Sequence, residues 1–148
     1  MDSEPTTLDP ALYSDKYSVQ VATHLFDGLV KFNQRLTVVS ALASHWKISR
    51  DRRTYTFLLR KGVKFHNGRE VTAEDFVYSF TRLLDPEIKS PAASFFLNIK
   101  GAKDYYEGKS SEVIGLSAAK THILKIQLEE PFAPFLSILA MHNAKVIP

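Results

Sequence analysis

Apolar residues recur along this chain with two spacings, and each spacing marks an element. Across residues 15–27, Tyr17, Val21 and Leu25 return every four positions, the interval of one helical face, and Gly28 stands where a helix stops. A short strand over 29–32 follows. In 54–60, Tyr55, Phe57 and Leu59 alternate with Thr54, Thr56 and Arg60, so a half-buried strand is predicted. A weaker alternation over 44–49 puts Trp46 and Ile48 on one face. The polar Asp51-Arg52-Arg53 between the two segments predicts an antiparallel hairpin.

Asn67-Gly68 supplies a turn, and Val71-Thr72-Ala73-Glu74-Asp75-Phe76 then reads as a helix start. Thr72 is the N-cap, Asp75 can return its hydrogen bond, and Val71 and Phe76 have the spacing of a hydrophobic staple. Phe76, Val77, Phe80, Leu83 and Leu84 form the buried stripe, with Glu74 and Tyr78 opposite, and Asp85-Pro86 ends the helix. Shorter helices are expected over 90–97 and 101–107, and a strand over 113–116. A further strand over 122–128 turns Leu124, Ile126 and Leu128 one way and Lys125 and Gln127 the other. Residues 131–140 carry Phe132, Phe135, Leu136 and Leu139 at helical spacing, and 145–147 read as a closing strand. Short strands interleaved with helices predict an α+β fold, a small mixed or antiparallel sheet with packed helices.

The 148 residues, 45% hydrophobic and 24% charged, suit about one soluble globular domain. The net charge of +3 comes from scattered lysines and arginines, with no basic run of the kind that binds nucleic acid. No apolar stretch approaches the ~18–20 residues of a membrane span, and the start Met1-Asp2-Ser3-Glu4-Pro5 has no export-signal pattern. The absence of cysteine removes thiol chemistry, disulfides and cysteine-held zinc. There is no G-x-S-x-G, H-E-x-x-H or phosphate-binding glycine loop, so an enzyme is not expected. No two of His24, His45, His66, His122 and His142 lie within four residues of each other, which favours structural or surface roles over metal ligation. For His66 and His122 a hydrogen bond to backbone is expected. No cofactor is indicated.

The ordered run A-x-x-W, Y-T-F-x-L-R-x-G-V-K-F-H-N-G and V-T-A-E-D-F-V-Y-S-F, spanning residues 42–85, resembles the signature region of the family 5 extracellular solute-binding proteins. The resemblance extends upstream through Glu4-Pro5-x-x-Leu8-Asp9-Pro10 and Leu25-Phe26-Asp27-Gly28-Leu29. Downstream it runs through Ser90-Pro91, Glu107-Gly108-Lys109, Gly115 and Glu130-Pro131. It is most similar to the oligopeptide receptors of ABC importers. It implies a periplasmic binding protein-like II fold whose two lobes close over a peptide, with an extra α+β domain. Residues 1–35 would be a lead-in segment, helix and strand of the ligand-binding lobe, 36–140 the extra domain, and 141–148 the return toward that lobe.

The resemblance also implies an extracytoplasmic receptor that passes oligopeptides to a membrane permease. The same family with nickel, haem or another small solute as cargo, or an interaction domain with no ligand role, are the alternatives. Tyr13, Ser14, Asp15, Lys16 and Tyr17 correspond to the segment that runs along the bound peptide. Ala92 stands where the oligopeptide branch carries an aromatic residue against the ligand. The groups that hold peptide termini would lie in later sequence, so the chain alone is expected not to bind peptide and to self-associate through bare apolar surface.

Overall fold

A computed structural model describes residues 7–12 and 14–148, with side chains omitted at 22–24. The elements run in the order 3-10 helix Pro10–Leu12, α1 (Lys16–Leu25), β1 (Val30–Phe32), β2 (Val38–Ser40), β3 (Ala43–Ile48), β4 (Thr54–Leu59) and α2 (Ala73–Leu83). There follow a second 3-10 helix, Ala93–Phe96, then α3 (Ala102–Tyr106), β5 (Leu116–Lys120), β6 (Ile123–Gln127) and α4 (Phe135–Leu139). β1 and β2 form a two-stranded sheet, and the main sheet has the order β3-β4-β6-β5. Every pairing between these strands is antiparallel.

The hairpin expected from the alternation at 44–60 is present, with Trp46 opposite Phe57 and a bulge between Ala43 and His45. Its inner face is Tyr55, Phe57 and Leu59, all buried. On β6, Leu124 and Ile126 face the same core, and Leu128 is buried just beyond the strand. α2 packs across β5 and β6. Its stripe follows the predicted one: Phe76, Phe80, Leu83 and Leu84 are buried, Val77 is only partly buried, and Tyr78 on the far side is exposed. Phe80 meets Phe76 and Phe96 with ring centroids 5.9 Å away in each case.

The start of α2 is tied down by one carboxylate. Asp75 accepts from the Thr72 amide at 2.8 Å and from the Thr72 hydroxyl at 3.2 Å, closing the predicted capping box. It also receives both terminal nitrogens of Arg69, at 2.8 and 3.2 Å. Arg69 in turn lies 5.0 Å over the Phe65 ring. The Ala73 amide donates to Thr121 O at 2.8 Å, fixing the helix to the β5–β6 turn.

Several boundaries differ from the periodicity reading. The strand expected over 113–116 begins instead at Leu116. Residues just before it are pinned across Lys100: Gly115 N donates to Lys100 O, and a Cβ on Gly115 would stand 2.6 Å from Gln127 O. The helix expected over 131–140 starts only at Phe135, because Pro131 and Pro134 hold the preceding turn, and Phe132 is left exposed. The segment 90–97 closes as a single 3-10 turn. β2 carries no alternating pattern and was not expected; it forms by pairing with β1. Residues 145–147 form no strand, only an antiparallel bridge from Lys145 to Gly28.

Candidate functional site

The two outer parts of the chain meet against α2. Val146 N donates to Asp27 O at 3.0 Å beside the Gly28–Lys145 bridge, and Leu42 N donates to Gly28 O at 3.1 Å. Gly28 is required here by proximity: an added Cβ would stand 2.7 Å from Ala144 O. Burial pushes the Lys145 ammonium below its usual range, with Asp27 acting the other way. Ile147 N donates to Ser79 Oγ on α2 at 3.0 Å. Leu29, Val30, Ala144 and Val146 belong to the same hydrophobic core as α2 and the main sheet.

The lead-in segment is held just as firmly. Arg82, in the last turn of α2, grips Asp9 with both terminal nitrogens; the Nη1 bond to Oδ1 is 2.6 Å. That guanidinium, ahead of the Ala11 amide, holds the Asp9 carboxyl below the ordinary carboxylate range against the opposing effect of burial. Ala11 N donates to Asp9 Oδ1 at 3.0 Å, and buried Asn143 donates from Nδ2 to Pro10 O at 2.8 Å. Both anchors bear on the 3-10 helix that immediately precedes the predicted ligand segment.

Of that segment, Tyr13 lies outside the described residues. Ser14 and Lys16 are exposed, whereas Asp15 turns inward to cap α1, accepting from Ser18 N at 2.9 Å and Ser18 Oγ at 2.6 Å. Tyr17 is 43% exposed and shares a helical face with Val21 and Leu25, 37% and 38% exposed. The helix predicted from this stripe therefore exists, with its apolar face open. Ala92 is 3% exposed and packs in the core, and Phe95, three residues on, is the exposed aromatic nearby.

Sequence reading missed Arg82 and Asn143 as anchors of the lead-in. Asp9 within the motif Leu8-Asp9-Pro10 was a signal for one end of the contact, but nothing local marked its partner. A groove of about 400 Å³ lies between the end of α1 and the 63–71 loop, walled by Leu25, Phe26, Val63, Phe65 and Val146. His66 reaches across it to Leu25 O, 3.4 Å from Nε2, the backbone contact expected of it. His122 differs: its Nε2 lies 3.0 Å from the Glu70 carboxylate, a side-chain partner. Among the described residues no three His, Cys, Asp or Glu side chains gather as metal ligands would.

This architecture has close counterparts. Residues 37–148 match the bacterial extracellular solute-binding proteins, family 5, middle region. The chain belongs to that family. It is 41% identical over 140 residues to the periplasmic murein peptide-binding protein MppA of Escherichia coli, a match covering 93% of this chain and 26% of the relative. With the dipeptide-binding protein DppE of Bacillus subtilis the identity is 35% over 142 residues, covering 94% and 26%. The solved structure of the E. coli murein tripeptide-binding protein MppA superposes with a TM-score of 0.92 at 38% identity, over all of this chain and 30% of that one. The chain thus spans about a quarter of the length of these curated relatives. The family consists of solute-binding receptors, and the α+β architecture with its antiparallel sheet is that of a periplasmic binding protein.

Proposed function

We propose that this chain is the amino-terminal part of an extracytoplasmic receptor that captures oligopeptides and delivers them to an ABC import permease. The observation that carries the reading is the superposition of the whole chain on MppA, a peptide-binding protein, with nothing left over. Residues 1–35 and 141–148 would belong to the ligand-binding lobe and 36–140 to the extra domain. The meeting of Asp27 and Gly28 with Lys145 and Val146 supports that division, since it brings the two ends of the intervening region together.

In this reading the segment from Tyr13 to Tyr17 runs along the peptide, positioned from behind by Asp9–Arg82 and Asn143–Pro10. The open stripe Tyr17, Val21 and Leu25 packs against the remainder of the lobe. A peptide held mainly through main-chain hydrogen bonds tolerates many side chains, and closure of two lobes removes it from water. The isolated chain, lacking the second lobe, would bind no peptide and would cover its stripe by self-association.

Mass spectrometry of the full-length receptor, purified without refolding, tests the reading. Heterogeneous co-purified peptides are expected. A receptor that is consistently empty, or loaded with nickel, haem or another small solute, would overturn the peptide assignment.

A further inference from the structure

We propose that the concavity between the β3–β4 turn and the approach to α4 is a binding site for a carboxylate carried on an apolar body. It measures about 650 Å³ and is lined chiefly by Ile48, Arg50, Arg52, Tyr55, Phe132 and Leu136, a volume within the usual range for small-molecule sites, roughly 300–1,000 Å³.

Three observations point to this ligand. First, Arg50 and Arg52 are exposed at the rim, and among the described residues neither forms an ion pair. Second, Tyr55 is 3% exposed, its ring fixed against Phe135 at 5.0 Å and Phe57 at 6.4 Å. Its hydroxyl has no hydrogen-bond partner among the described residues, yet no side-chain oxygen or nitrogen there is both buried and unpaired. The hydroxyl therefore opens into the concavity, a donor waiting at its floor. Third, Arg52 holds φ at 59°, the left-handed region that favours glycine or asparagine. Leu36 and Lys89 hold the same conformation elsewhere in the chain; at Arg52 the turn fixes the backbone from which the guanidinium stands at the rim of the concavity.

Charge and shape narrow the class. Two guanidiniums and a phenol match one carboxylate, while exposed Ile48 and Phe132 supply apolar walls. A doubly charged phosphate fits less well. The turn's amides are already used, Arg52 N by Ser49 O, Arg53 N by Asp51 Oδ1 and Thr54 N by Ser49 Oγ, and the Asp51 carboxylate stands in the same turn.

The test is nitrogen-15 NMR titration of this chain with 4-phenylbutyrate and with its uncharged amide. Saturable shifts confined to 48–55 and 131–136 are expected, with the amide at least about tenfold weaker, the loss typical of a charge-assisted hydrogen bond. Arg50→Gln and Arg52→Gly should each weaken binding by a similar factor, and Tyr55→Phe should weaken it several-fold. Arg52→Gly should at the same time raise the melting temperature by relieving the turn, so its loss of binding cannot be a loss of fold. N-acetyl-phenylalanine as a second acid separates a peptide carboxyl terminus, if it binds more tightly, from a free acid, if it binds less. Equal binding of acid and amide, shifts elsewhere in the chain, or unchanged affinity in Arg50→Gln and Arg52→Gly would overturn the proposal. None of these results bears on peptide capture by the full-length receptor, which is tested separately.

Discussion

Arg82 on α2 and Asp9 in the lead-in segment, far apart in sequence, form a two-pronged ion pair that fastens the start of the chain to the central helix. Arg82→Ala should cost about 1–2 kcal/mol, less than a fully buried pair because both side chains retain some contact with water. Chemical denaturation measures it, and Arg82→Lys should recover only part, since an ammonium cannot make both bonds.

The same pair sets an acid dependence. The folded-state pKa of Asp9 lies below its unfolded value of 3.8, so its contribution is complete above that value and is lost as pH falls through the lowered one. Asp9→Asn should flatten the acid limb of the stability curve below the ordinary carboxyl value of 3.8, leaving stability at neutral pH lower than in the wild type. An unchanged acid limb would mean that the pair does not persist in solution.

Phe80→Ala should destabilise by about 3–5 kcal/mol, because the ring is enclosed by Phe76 and Phe96 and its removal leaves a cavity. A melting temperature equal to the wild type would contradict the register of α2.

At the other end of that helix, Thr72→Ala should cost about 1 kcal/mol and Thr72→Ser almost nothing. Asp75→Ala should cost more, about 2–4 kcal/mol, because it strips partners from the Thr72 amide, the Thr72 hydroxyl and Arg69 together. Measuring the three variants by thermal unfolding ranks them directly.

Elements with strong periodicity were legible without coordinates. β4, α2 and β6 with Leu128 just after it each carry three or more large apolar residues at one spacing, and each appears with the predicted face buried. Where packing rather than pattern decides, the reading slipped. β2 exists because β1 is beside it, β5 starts late because Gly115 is trapped between Lys100 and Gln127, and Ala92 is drawn into the core. The candidate site was legible only in part. The α1 stripe showed in the sequence, but Arg82 and Asn143 hold Asp9 and Pro10 through tertiary contacts that leave no local periodicity. Tyr55 read correctly as core, and its open hydroxyl is visible only from the concavity it floors.

Gly28→Ala should lose about 1–3 kcal/mol, since a methyl group 2.7 Å from Ala144 O forces the two backbone segments apart. Hydrogen exchange should localise the damage to the Val146 amide, which donates to Asp27.

That bridge has an architectural consequence. Antiparallel partners lie as close as the two ends of a tight turn, so the chain leaves at Gly28 and returns at Lys145 across a short gap. The two ends therefore meet as one entry and exit point, while Arg82, Ser79 and Asn143 reach out from between them to hold the flanking segments, so the region and its flanks are fitted to each other.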